Sequence, residues 1–195
     1  ANWGTYQTVT LAAAEDDADT ANGSAVIRAT ATGGSTDTAD VTATEVDDDF
    51  TLTVANDGNG TTTPSGSVIV DSNDDLPYAV SATANAGYTF NNWTDGSGVL
   101  TDANAASTTV QAGTTSDCTI TANFTANTVN VETDVVSVNV PEGGTNTFQV
   151  RLTAQPTAST TVTVARNSGD TDISVTGGAS LTFTTANWGT YQTVT

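Results

Sequence analysis

Residues 186–195 read Ala186-Asn187-Trp188-Gly189-Thr190-Tyr191-Gln192-Thr193-Val194-Thr195, and residues 1–10 read the same, Ala1-Asn2-Trp3-Gly4-Thr5-Tyr6-Gln7-Thr8-Val9-Thr10. Identity over ten positions that include a Trp and a Tyr is not a chance event. Self-similarity at a fixed spacing is the signature of an array. The sequence therefore predicts one full period of 185 residues (186 − 1) plus a ten-residue overlap, with both ends lying inside a longer protein. A repeating extracellular structural protein is expected, and no catalytic site has to be assumed.

The decapeptide leads forward into the first 49 residues. Tyr6 to Thr10 reads as a strand continued by Leu11-Ala12-Ala13-Ala14, followed by an acidic loop, Glu15-Asp16-Asp17-Ala18-Asp19, and a turn at Asn22-Gly23. Two further strands are predicted, Ala25–Thr32 and Ala39–Val46, the second running into Asp47-Asp48-Asp49. Three strands are too few to close a sandwich with two apolar inner faces. Residues 1–49 thus read as half a domain.

Leading backward from Ala186, the chain supplies the other half. Val129–Glu132 and Val135–Val140 read as a kinked first strand, ended by Pro141-Glu142-Gly143-Gly144. Phe148, Val150 and Leu152 alternate inward, as do Val162 and Val164; Asp172–Val175 and Leu181–Phe183 are short strands. Joining 128–195 to 1–49 of a following copy gives a sandwich of about 105 residues, the size of an immunoglobulin-like fold. The two halves cannot easily close within one chain, because both decapeptides are the same strand and would compete for one slot.

Between the halves, residues 50–127 read as a complete small β domain. Thr51–Val54, Val68–Val70, Tyr78–Ala84, Gly87–Trp93 and Cys118–Phe124 are its strands. Tyr88, Phe90, Trp93 and Phe124 supply the large apolar area that so small a core requires. Trp93 is read as core, and Cys118, in alternation with Ile120 and Ala122, as a buried thiol.

Composition narrows the function. The net charge is −19, from 22 acidic residues against Arg28, Arg151 and Arg166, with no Lys and no His. Nucleic acid and anionic membranes are repelled by such a chain. Aspartate outnumbers glutamate 18 to 4, which favours turns and short oxygen-ligand loops and makes multivalent cations the natural partners. A solvated acidic coat is the bland alternative, and it explains clusters less well than scattered acids. A single Cys and no His exclude a disulfide framework, zinc or iron–sulfur chemistry, and any nucleophile that relies on a histidine base. Runs of Thr and Val favour strands, so the fold class is all-β. No run approaches the ~20 apolar residues of a membrane-spanning helix.

Two resemblances sharpen these readings. The string ATANAGYTFNNWTDGSG (82–98), with TITANF (119–124), resembles the divergent internalin-type B-repeat of bacterial surface proteins over Phe50 to Thr125. The joined halves resemble a Calx-β-type sandwich through VPEGGTNTFQVRL (140–152), through LTFTTANWGTYQTVT (181–195) running on into LAAAEDDADTANGSAVI (11–27), and through VTATEVDDD (41–49). The second resemblance implies Ca²⁺ at one pole of the sandwich. Glu15, Asp16 and Asp17 match its first acidic loop, Asp19 more loosely, and Asp47, Asp48 and Asp49 match its terminal triplet. Glu142 and Asp172 are weaker matches. Carboxylates from two loops at one end suit the six to eight oxygens that Ca²⁺ takes. The cluster Asp71-Ser72-Asn73-Asp74-Asp75 reads as Asx turns.

The expected architecture is therefore an immunoglobulin-like, Calx-β-like sandwich alternating with a small B-repeat-like domain. Its expected role is a structural repeat of an extracellular or cell-surface filament, stalk or adhesin, with copies assembled head to tail and stiffened by calcium. The links Asp47–Asp49 and Ala126–Thr128 are short enough to keep the string extended. The alternative is a module that binds glycans or a surface through exposed aromatics, with the array giving avidity. An enzyme is the weakest class, because the carboxylates gather in loops and do not flank a groove.

Overall fold

The computed structural model describes residues 4–15 and 19–195, and among these every regular element is a strand. After residues 4–15, which form no regular element, β1 (Ser24–Thr30) and β2 (Thr38–Thr44) form an antiparallel hairpin with Val26 opposite Thr42 and Ile27 opposite Val41. Arg28 and Asp40 face each other across it at 2.7 Å. The hairpin has no core of its own: Val26 and Val41 are 63% and 61% exposed. A bare two-stranded ribbon is marginal in water.

Residues 49–126 build two facing sheets. β3 (Asp49–Asn56), β5 (Gly66–Asp71), β7 (Tyr88–Asp95) and β9 (Cys118–Ala126) make one, in the order β5-β3-β9-β7; β4 (Gly60–Thr63), β6 (Tyr78–Ala84) and β8 (Ser107–Val110) make the other, in the order β4-β6-β8. Strict alternation drives this. Phe50, Leu52 and Val54 are buried on β3, and Cys118, Ile120, Ala122 and Phe124 on β9. The core between the sheets is closed by Val80, Val110 and Trp93. Trp93 is fully enclosed, with its indole N–H donating to Ala105 O at 3.1 Å. Phe90 meets the Phe124 ring edge-on at 5.9 Å. β3 and β9 are parallel neighbours at the centre of their sheet, Leu52 beside Cys118 and Asn56 beside Ala122. The chain therefore comes in at one end of this domain and leaves at the opposite end.

Residues 129–195 hold a second, smaller core. β10 (Val131–Thr133), β11 (Phe148–Leu152) and β14 (Gln192–Val194) form one sheet, and β12 (Thr160–Thr163) with β13 (Ser180–Phe183) another. Val150, Leu152, Leu181, Phe183 and Val194 are buried between them, with Val162, Val164 and Trp188 packed at the margin. Five buried side chains against twelve in the preceding domain leave this unit thin. Val135, Val138, Val140 and Ile173 remain on its surface, and nothing from the β1–β2 hairpin enters the core.

The strand pattern departs from expectation in five places. Tyr6–Ala14 forms no strand, and no neighbouring strand offers it a ladder. Val135–Val140 and Asp172–Val175 likewise stay outside any sheet despite their alternation. Conversely β4 and β8, rich in Gly, Ser and Thr, are strands whose small polar residues gave no periodic signal.

The two C-terminal units meet at a hydrogen-bonded joint. Gly87 N donates to Gln155 Oε1 at 3.0 Å, and Asn127 Nδ2 donates to Gln155 O at 3.2 Å. Gln155 Nε2 is itself held by Thr185 O at 2.7 Å, and Asn127 N by Gly87 O at 2.8 Å. Gly87 has φ +82°, and a Cβ on it would lie 2.5 Å from the Thr157 backbone. Only glycine fits both the left-handed backbone and the close approach.

Candidate functional site

The acidic residues named for calcium are only partly brought together. Glu15, Asp47 and Asp48 line one small cavity of about 90 Å³, and Glu45 joins them. Of the first acidic loop only Glu15, and of the terminal triplet only Asp47 and Asp48, line it. Glu45 was not singled out by sequence; it lies just past β2, where the alternation of that strand turns it toward Gly23, and its amide donates to Gly23 O at 2.9 Å. Asp47 N donates to Asn22 Oδ1 at 2.8 Å, and Asp47 Oδ1 accepts from Asp49 N at 2.9 Å.

Other carboxylates have local duties. Asp48 Oδ2 accepts from Asn73 Nδ2, tying the link to the Asp71–Asp75 turn. Asp71 Oδ1 caps the amides of Asn73 and Asp74 at 2.6 and 3.0 Å, so that cluster is an Asx turn. Asp19 Oδ1 accepts from Ala21 N at 2.7 Å. Asp49 starts β3 opposite Asp71. Glu142 is exposed in the Pro141–Gly144 turn, away from the cavity, and Asp172 N donates to Asp170 Oδ1. Asp16 and Asp17 lie outside the described residues, as does Trp3.

Among the described residues no three acids converge closely enough to hold a metal ion. The side-chain donors lining the cavity are carboxylates, the chemistry that a hard cation takes.

The two copies of the decapeptide occupy different environments. In the second, Val194 is fully buried and β14 pairs with β11, Gln149 opposite Thr193. Tyr191 lies under the Arg151 guanidinium, 4.6 Å from Cζ to the ring centre. In the first, Val9 is 76% exposed and Tyr6 fully so. A groove of about 830 Å³ runs between Thr10–Ala14 and the hairpin, lined by Leu11, Ala13, Ile27 and Ala43 among others.

Residues 50–128 match the family model of the divergent InlB B-repeat domain. The matched segment takes in β3 to β9 and the whole twelve-residue core, so the resemblance read from residues 82–98 and 119–124 is supported. This is a β-repeat domain family and not an enzyme family. The match covers about two fifths of the chain; the acidic cavity and both decapeptides lie outside it. No curated protein and no solved structure matches the chain. Among the described residues no helix is long and apolar enough to cross a membrane.

Proposed function

We propose that this chain is a structural repeat unit of an extracellular or cell-surface filament, stalk or adhesin, with copies stacked head to tail. The observation that carries the reading is the parallel β3–β9 pair. Parallel neighbours run in the same direction, so in this register the B-repeat domain passes the chain from Asp49 at one end to Ala126 at the other over about 36 Å at ~3.3 Å per residue. Domains built this way extend a string; they do not fold it back. The bare hairpin and the thin 129–195 core support two halves of one Calx-β-like sandwich, completed between copies. Scattering or electron microscopy of two, three and four joined copies is the test. A maximum dimension growing linearly with copy number is expected, and a compact, sublinear particle overturns the reading.

Calcium stiffening of the Asp47–Asp49 link is part of the same proposal. The support is the grouping of Glu15, Glu45, Asp47 and Asp48 around one cavity. Extracellular sites of this class bind at roughly 10⁻⁴ to 10⁻³ M, so millimolar Ca²⁺ is expected to raise the melting temperature of joined copies by linkage, and a chelator to reverse it. Identical melting with Ca²⁺ and with chelator refutes it.

A further inference from the structure

We infer that β5 is a pairing edge: the β5 strands of two copies of this chain lie antiparallel about a two-fold axis at Val68, Ser67 opposite Ile69 of the second copy, which joins their four-stranded sheets side by side. Each edge of a sheet presents the N–H and C=O groups of alternate residues to whatever lies beside it. In the B-repeat domain three of the four edges are closed. β7 shifts register between Phe90 and Asn92, and its Trp93 N donates to Ala103 O at 2.7 Å. β8 is flanked by Leu100 and Thr101, with Thr101 N donating to Thr109 O at 2.9 Å. The residues of β4 whose amides point away from β6, Gly60 and Thr62, are buried.

The fourth edge is open. Ser72 N donates to Asp48 O at 3.3 Å, so the even-numbered residues of β5 face β3 and the odd-numbered ones face outward. Asp71 is closed by its own turn, its carbonyl accepting from Asp75 N at 3.2 Å. Ser67 and Ile69 remain, and among the described residues no backbone group reaches their N–H and C=O. Ile69 is also the one large apolar side chain of residues 50–128 that is exposed, at 38%. Charge selects the occupant. The chain carries a net −19, yet Pro64 to Val70 has no charged residue, so this edge is where two copies approach with least repulsion. Antiparallel about Val68, each copy's Ser67 and Ile69 exchange N–H and C=O with the other's Ile69 and Ser67, and all four groups on each side are used. Asp71 then lies beside Ser65 of the second copy, six residues or about 20 Å along the strand from the other Asp71. Parallel pairing would set the two acidic turns, 71–75, against each other. The contact is self-complementary, so it closes at two copies and does not propagate through β5. It adds a lateral bond to the head-to-tail stack and does not depend on it.

Hydrogen exchange in the full chain at physiological ionic strength reads the edge directly. The amides of Val68 and Val70, bonded to β3, should be protected at every concentration. Those of Ser67 and Ile69 should exchange freely in dilute chain and slow several-fold as the concentration rises to ~1 mM, the range in which so small a contact forms. The register is tested in a Cys118→Ala background. Chains with Ser67→Cys and chains with Ile69→Cys, mixed and oxidised, should form a mixed disulfide several-fold faster than either forms alone, since directly opposed Cα atoms lie ~5.5 Å apart and diagonal ones ~7–8 Å. Ile69→Pro removes an outward N–H and no bond to β3, and Ile69→Glu sets two like charges across the diagonal. With Trp93 still enclosed in each, both variants should lose the slowing at Ser67. Equal disulfide rates in the three mixtures overturn the register and the inference with it, as does slowing that survives in both Ile69 variants. Ser67 and Ile69 amides that still exchange freely at ~1 mM overturn pairing between copies and leave this edge to a strand of another protein; neither result touches head-to-tail stacking.

Discussion

Replacing Gly87 with alanine should turn the joint between the B-repeat domain and the 129–195 unit into a hinge without unfolding either. A Cβ at Gly87 would sit 2.5 Å from Thr157 N and Cα, inside any real contact, and the obstacle is backbone, so it cannot rotate away. Overpacking of this kind costs about 1–3 kcal/mol, and holding a non-glycine residue at φ +82° adds about 1–2 kcal/mol. Against this stand the two hydrogen bonds that cross the joint, Gly87 N to Gln155 Oε1 and Asn127 Nδ2 to Gln155 O. At a net ~0.5–1.5 kcal/mol each they contribute about 1–3 kcal/mol. The clash is as large as what holds the surfaces together, so separating them is the least costly relief. Gln155→Ala removes the acceptor side chain with no clash and should loosen the joint by a smaller amount. Backbone relaxation measurements decide the matter: the parent chain should tumble as one body from β3 to β14, and Gly87→Ala as two bodies with separate correlation times. Two variants that tumble like the parent would show that the joint is held by something other than Gly87 and Gln155.

Three further outcomes are expected. Val194→Ala deletes buried methyl groups and leaves a cavity, costing about 1.5–3 kcal/mol, seen as a ten- to hundredfold loss of amide protection along β11; the same change at Val9 should leave protection in dilute monomer untouched. Trp93→Ala removes the largest enclosed side chain of the B-repeat core and its bond to Ala105 O, and about 3–5 kcal/mol of stability should go with it, read by urea unfolding. Asp57 accepts from the amides of Phe124 and Asn59, and these, Phe124 first, hold its carboxyl below the usual carboxylate range. Its stabilisation is complete above the unfolded value of about 3.9 and is lost as pH falls through the lower folded value. The stability gap between the parent and Asp57→Asn should accordingly be constant near neutrality and close in acid; a gap that widens on acidification contradicts the assignment.

Much of the fold is legible because burial imposes strict alternation. Thr51–Val54, Cys118–Phe124 and Phe148–Leu152 read as strands and lie in strands, since each has one face against a core. Where the partner is missing, alternation misleads: Tyr6–Ala14 and Val135–Val140 have the pattern without a ladder. β4 and β8 escape notice for the opposite reason, their pairing being dictated by β6 between them and not by their own residues. At the acidic cavity, Glu15, Asp47 and Asp48 were visible as clustered carboxylates, whereas Glu45 looked like one polar residue of a strand. The joint could not be read at all. Gly87 resembles any turn glycine, and its acceptor is 68 residues away.

The parallel β3–β9 pair has a mechanical consequence. Tension applied between the two ends of this domain comes in at Asp49 and leaves at Ala126, pulling the two strands past each other in opposite senses. Every hydrogen bond of that ladder, from Leu52–Cys118 to Asn56–Ala122, is then loaded at once in shear, with β5 and β7 bracing it on either side. A hairpin pulled from its open end breaks one bond at a time; this pair must break several together. Resistance to stretching is governed by the unfolding rate and not by equilibrium stability, so a domain of modest core can serve as the stiffest element under load.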